Sequence, residues 1–203
     1  MEWFSFLVKR RKVEFREDAM AKKIMVIRHG EKPDKRDSIR GVSPRGKTSK
    51  NELSPRGWQR CGALARFFNP LNGKFAHPSL AKPDTIFASA PSGHVKSKRS
   101  EHTVLAVAQS LGKRVNKRHS KGEENKLLQE VLRSGANVLI AWEHNAIIDL
   151  ANLILGDRKS SPQRWPGSRF DLVWVFDQQP SSKKWKFTQV PQILLPGDSR
   201  RIL

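Results

Sequence analysis

The sequence predicts an α/β protein, a three-layer α/β/α sandwich with a mostly parallel central sheet. Three observations carry that reading. Short apolar runs alternate with stretches whose apolar residues recur every three or four positions, as crossover helices between strands require. Two of the apolar runs, Ile24–Ile27 and Val138–Trp142, are followed closely by a histidine, His29 and His144. The last two runs flank a Pro-Ser-Ser turn and show alternating or aromatic-rich character, the mark of an antiparallel hairpin.

Taken in order, strands are expected at Lys23–Arg28, Thr85–Ser89, Arg114–Lys117 and Asn137–Trp142, with hairpin strands near Phe170–Phe176 and Trp185–Val190. Helices are expected at Pro55–Phe68, Ser100–Leu111, Glu123–Arg133 and Ala146–Leu155. The first has an apolar stripe of Cys61, Leu64, Ala65 and Phe68; the second has Val104, Val107, Ala108 and Leu111. Ser54 is placed to cap the first helix with Pro55 in its first turn, and Gly112 and Gly156 stand where helices should stop. The segment from Asp34 to Asn51 is polar and basic, a surface loop. No internal repeat is visible. The expected organisation is a basic, disordered extension over residues 1–19 and one domain over 20–203.

The chain of 203 residues is long enough for one sizeable core, and its 37% hydrophobic content, with ten Phe and six Trp, argues against wholesale disorder. No apolar stretch approaches the roughly 18 residues of a membrane span. Met1–Val8 is followed by the basic Lys9-Arg10-Arg11-Lys12, the reverse of a secretory signal's order. The single cysteine, Cys61, fits a reducing compartment, so a cytoplasmic location is expected. A net charge of +20 favours polyanions: phosphorylated small molecules, anionic lipid or nucleic acid. Two segments hold most of it, Lys32–Arg60 with nine basic and three acidic residues and Gly93–Lys121 with eight and one. No RNA-recognition or helix-turn-helix signature accompanies the charge, so nucleic-acid affinity would be non-specific.

The chemistry concentrates at strand ends, where open α/β sheets build ligand sites. Arg28-His29-Gly30 follows the first strand: an imidazole can act as a nucleophile, and a guanidinium can grip a phosphoryl group. His144 ends the fourth strand. Arg99 opens a helix, where guanidinium donors join free backbone N–H groups.

These residues resemble the marks of the histidine phosphatase superfamily, whose fold is phosphoglycerate-mutase-like. The marks stand here as Arg28-His29-Gly30, Leu53-Ser54-Pro55-Arg56-Gly57-Trp58-Gln59, Arg99-Ser100-Glu101-His102-Thr103 and His144, in order over roughly residues 22–155. The Arg-Trp-Pro…Arg-Phe-Asp-Leu-Val-Trp-Val-Phe stretch resembles a small bacterial-type branch. The resemblance implies that His29 attacks phosphorus to form phosphohistidine, and that Arg28, Arg99 and His144 surround the phosphoryl oxygens. It implies no metal or cofactor, and a phosphorylated small molecule or phosphoprotein as substrate. His102 and Gln59 are expected to serve as scaffolding.

Two points depart from the family's pattern. Six residues, Pro91–Lys96, lengthen the stretch between Ser89 and Arg99. The acid that would protonate the leaving oxygen has four candidates: Glu124 is preferred by position, with Glu123, Glu143 and Glu31 as alternatives. The expected activity is metal-independent phosphomonoester hydrolysis. A phosphoglycerate mutase-type phosphotransferase and a catalytically impaired phosphate- or polyanion-binding module are the alternatives.

Overall fold

The computed structural model describes residues 20–34, 38–93 and 96–203; the extension expected over residues 1–19 lies outside the described residues. Its strands are β1 (Lys23–Arg28), β2 (Thr85–Ala88), β3 (Val115–Asn116), β4 (Asn137–Trp142), β5 (Leu172–Gln178) and β6 (Trp185–Pro191). Its helices are α1 (Pro55–Phe68), α2 (Arg99–Thr103), α3 (Leu105–Ser110), α4 (Glu124–Val131) and α5 (His144–Leu155). The strands form one sheet in the order β3-β2-β4-β1-β5-β6. Neighbours from β3 to β1 run parallel, and β5 and β6 add an antiparallel hairpin beside β1.

Alternation along the strands sorts the core into two layers. Ile24, Val26, Val138, Ile140 and Trp142 face α4 and α5, where Leu127, Val131, Ile147 and Leu150 cover them. Met25, Ile27, Leu139 and Ala141 face the other way, against Leu64 and Phe68 of α1 and Val107 and Ala108 of α3. Because both faces are covered, the central strands are apolar at nearly every position. The buried stripe of α1 is Cys61, Leu64, Phe67 and Phe68; Ala65, expected in it, is only half-buried.

Element boundaries depart from expectation where side chains take on site-building work. The single helix expected over Ser100–Leu111 is two, α2 and α3, broken at Val104 (φ −101°, ψ 5°). The Thr103 hydroxyl donates to the Arg99 carbonyl (2.6 Å), a back-bond to the preceding turn that favours a bend. Helix α5 starts two residues earlier than its apolar pattern, because the Glu143 side chain caps it by accepting from Asn145 N (3.2 Å). It stops at Gly156, whose φ of 74° is the left-handed conformation that glycine adopts without penalty. Strand β5 begins at Leu172, since Asp171 instead accepts from Ser199 N (2.6 Å) and from Arg169 Nε (2.7 Å). Among the described residues, no helix is long and apolar enough to cross a membrane.

Candidate active site

The carboxyl ends of β1, β2 and β4 converge. His29 N donates to Trp142 O (3.1 Å) and Ser89 N to Ala141 O (3.1 Å), so these chain ends stay in register just past the sheet. Between them lies a cavity of about 120 Å³ lined by Arg28, His29, Arg99 and His144, together with Lys32, Lys121, Glu143 and the hydroxyl residues Ser89, Ser97 and Ser100. The four residues expected from sequence are thus brought to one point, including Arg99 across the lengthened loop.

Each is held from behind. Arg28 is buried, and its Nη1 donates to the carbonyls of Gly167 (2.8 Å) and Arg169 (2.9 Å), while its guanidinium carbon sits 3.9 Å from the centre of the Phe170 ring. Arg99 Nη1 donates to Lys50 O (3.0 Å), and Lys98 N donates to Asn51 O (3.0 Å), so the basic loop before α1 anchors the start of α2. The Nε atoms of both arginines are buried without a partner among the described residues. Buried guanidinium donors left unpaired are costly.

The Thr103 hydroxyl accepts from Gly30 N (2.7 Å) while donating to Arg99 O, joining the loop after β1 to the helix that carries Arg99. On its other side the same loop is locked to α1: Ser54 N and Oγ both donate to Glu31 O (2.9 and 3.1 Å), and Ser54 Oγ accepts from Gly57 N (3.2 Å). A Cβ at Gly57 would lie 2.5 Å from Glu31 O, so only glycine allows this approach. His102 serves as scaffolding, with Nδ1 at 2.6 Å from Glu52 Oε2 and its ring 5.2 Å from Trp58. Gln59 does not: it is exposed, and the adjacent Arg60 is the buried support.

His29 is 4% exposed, and its Nδ1 lies 2.8 Å from Gly30 O. A carbonyl only accepts, so Nδ1 carries the proton and the lone pair is on Nε2. Burial, partly offset by this contact and reinforced by the charges of Arg28 and Arg99, pushes the His29 pKa down to about 3. The imidazole is therefore neutral at pH 7. Burial is also the main cause that lowers Arg28 to about 10, leaving it charged, and it lowers Arg99 in the same way. His144 is lowered by burial and by Arg28, against the opposing pull of Glu143.

Of the four carboxylates considered as proton donors, one lines the cavity. Glu124 does not: its Oε1 accepts from Trp142 Nε1 (2.9 Å) and Gly122 N (3.0 Å), and it borders a separate cavity of about 440 Å³ between α4 and α5. The preference for Glu124 is corrected, because the buried indole needs an acceptor and takes this one. Glu123 pairs with Lys126 (3.1 Å) and accepts from Ser120 N (2.9 Å). Glu31 turns away toward α1, where Arg60 Nη2 bridges it and Asp198, each at 2.7 Å. Glu143 is the one that remains.

Sequence reasoning missed the roles of Thr103, Lys32, Lys121 and the loop from Pro166 to Phe170. Thr103 stands inside one of the motifs, and the Arg-Trp-Pro…Arg-Phe-Asp stretch marks the resemblance to a small bacterial-type branch without indicating that its carbonyls hold Arg28. No local signal marks Lys32 or Lys121, which reach the cavity through the packing of loops.

No protein-family model matches the sequence, and no curated protein matches it. Solved structures do. A candidate alpha-ribazole-5′-P phosphatase from Escherichia coli str. K-12 substr. MG1655 superposes with a TM-score of 0.55 at 14% identity, covering 90% of this chain and 98% of its own. The protein histidine phosphatase SixA, complexed with tungstate, gives 0.51 at 14% identity, covering 84% and 97%. A mycobacterial glucosyl-3-phosphoglycerate phosphatase bound to VO3 gives 0.50 at 12%, covering 83% and 97%. These likenesses span nearly the whole of each neighbour. The chain has the fold of these solved structures, a phosphoglycerate-mutase-like α/β fold.

Proposed function

We propose that the protein is a phosphomonoester hydrolase that works through a phosphohistidine on His29 and needs no metal ion. The observation that carries this reading is His29 itself: a buried, neutral imidazole with its proton fixed on Nδ1 by Gly30 O, inside a cavity walled by Arg28, Arg99 and His144. Nε2 attacks phosphorus in line with the departing oxygen, and water then displaces His29 from the phosphoryl group. Splitting the displacement in two lowers each barrier. The transferring phosphoryl group keeps its negative charge throughout, so fixed cations supply stabilisation without reorganising. The guanidinium groups of Arg28 and Arg99, which line the cavity, are the cations placed for its oxygens.

Structural neighbours whose names describe phosphatases acting on α-ribazole phosphate, on protein histidine and on glucosyl-3-phosphoglycerate support hydrolysis of a phosphorylated substrate. The small cavity accepts the phosphoryl group and leaves the remainder of the substrate outside, over a rim that includes Lys32 and Lys121. Free and protein-borne phosphate esters both suit that arrangement. A buried lone thiol, Cys61, accords with a cytoplasmic site of action.

The test is phosphate release from an aryl phosphate in the presence of EDTA by the wild type and by His29→Ala. Release by the wild type and none by the variant is expected. Undiminished release by His29→Ala would refute the mechanism. Loss of wild-type release in EDTA, restored by metal, would refute metal independence.

A further inference from the structure

Glu143 is the one carboxylate among the described residues lining the cavity, and it immediately precedes His144. Its Oε1 lies 2.8 Å from His144 Nδ1. The contact is close in distance but not aligned as a hydrogen bond, and the buried Nδ1 has no other partner among the described residues. The other oxygen, Oε2, is 3.0 Å from Lys121 Nζ and accepts from Asn145 N. Oε2 is therefore held by two donors, while Oε1 lies at ion-pair distance from the imidazole. Burial alone would raise the Glu143 pKa, but the hydrogen bond from Lys121 and the neighbouring charges outweigh it and hold the carboxyl ionised. An ionised carboxylate cannot donate. It can pair with a cation: at 2.8 Å from His144 Nδ1 its charge favours the imidazolium form of His144, which has a proton on Nε2 to exchange.

An alkoxide leaving group needs a proton, and Glu31, Glu123 and Glu124 are engaged elsewhere. An imidazole is the side chain suited to carry one near neutral pH. We propose that Glu143 is a positioning residue that makes His144 the proton carrier of the catalytic cycle. The inference rests on the phosphatase reading above and adds to it the identity of the acid.

Charged and titratable groups face His144 from every side: Arg28 and His29 at the end of β1, Lys32 after it, Lys121 ahead of α4, and Glu143 on its own helix cap. In the empty cavity the three cations disfavour a charged His144. A dianionic phosphoryl group offsets them, so the ester binds with His144 protonated on both nitrogens. As His29 Nε2 bonds to phosphorus and the P–O bond breaks, the leaving oxygen takes the Nε2 proton of His144 and departs as an alcohol. Water then attacks phosphorus, its proton returns to His144 Nε2, and the P–N electron pair returns to His29. Alcohol and hydrogen phosphate are released, and the imidazolium is restored.

Glu143→Gln tests this, since the amide oxygen still caps α5 while the charge is gone. For an alkyl phosphate, whose leaving group needs the proton, kcat should fall by about 100-fold, the scale of a general-acid contribution. For a nitrophenyl phosphate, whose leaving group departs unaided, the burst of nitrophenolate that precedes phosphohistidine hydrolysis should fall far less, because in that first step only the alkyl ester calls on the proton of His144. An equal fall for both esters, or no fall for either, overturns the inference while leaving the phosphatase reading intact. A wild type inert toward both esters overturns both together. A second measurement needs no turnover: NMR titration of His144 in the full chain with saturating inorganic phosphate. Its ionisation should move to lower pH in Glu143→Gln. An unchanged His144 titration overturns the positioning role.

Discussion

Thr103→Val is the most informative perturbation of the scaffold, because it changes shape least while removing the atom that joins the two halves of the cavity. Thr103 is fully buried; its hydroxyl accepts from Gly30 N and donates to Arg99 O. Losing two hydrogen bonds costs about 1 kcal/mol each, and stranding the Gly30 N–H adds about 1 kcal/mol more, so a net loss of about 3 kcal/mol is expected. At about 2–4 °C per kcal/mol for a domain of this size, the melting temperature should fall by about 6–12 °C. The functional loss should be disproportionate. The loop carrying His29 and the helix carrying Arg99 would no longer share a tie, and a misplacement of about 1 Å costs on the order of 100-fold in rate. Calorimetry and kcat/KM on an aryl phosphate, measured on folded protein well below the transition, separate the two effects. Thr103→Ser keeps the hydroxyl and should recover most of both. A valine variant with wild-type melting and turnover would refute the reasoning that this hydroxyl holds the site together.

Three further outcomes follow from the same contacts. Gly57→Ala puts a Cβ 2.5 Å from Glu31 O, so urea denaturation should show a loss of about 1–3 kcal/mol; the gain of about 1 kcal/mol that helix propensity alone would give would count against the close approach. Arg60→Ala removes the buried cation that joins Glu31 and Asp198 and leaves only the more exposed Arg56 beside them, so a loss approaching the ~3–5 kcal/mol of a broken buried pair is expected in the same assay; a neutral variant would show the network to be dispensable. His29 ionises in the unfolded chain near pH 6.5 but in the folded one at about 3. Unfolding therefore binds a proton between those values. Its contribution to stability is complete above pH 6.5 and is lost as pH falls toward 3, by up to about 1.4 kcal/mol per pH unit. Urea midpoints measured across that range should depend on pH less steeply in His29→Gln than in the wild type, and equal slopes would contradict a neutral buried His29.

What was legible beforehand was whatever a short segment settles by itself. Strands β1 and β4 lie at the residues their apolar runs indicate, and α1 begins where Ser54 and Pro55 place it. Arg28, His29, Arg99 and His144 were readable because strand ends and helix starts have local signatures. Glu124 was misplaced because sequence position cannot tell whether a first-turn carboxylate faces a ligand or a buried Trp142 indole across the fold. The break at Val104 was hidden for a similar reason: the apolar stripe continues through it, and Thr103 bends the chain to serve Gly30, 73 residues away. The anchoring of Arg28 by the carbonyls of Gly167 and Arg169 is likewise a long-range fact, visible only when the loop before β5 is folded back over β1. Local chemistry was readable; partners across the chain were not.

The central claim is that His29 becomes covalently phosphorylated during turnover. Rapid-quench mixing of the full chain with a phosphate-labelled aryl ester tests it most directly. The account predicts a protein-bound label that is stable to base and labile to acid, maps to the peptide containing His29, and is missing from His29→Ala. Phosphate released without any protein-bound label, or a label that persists at full level in His29→Ala, would contradict it.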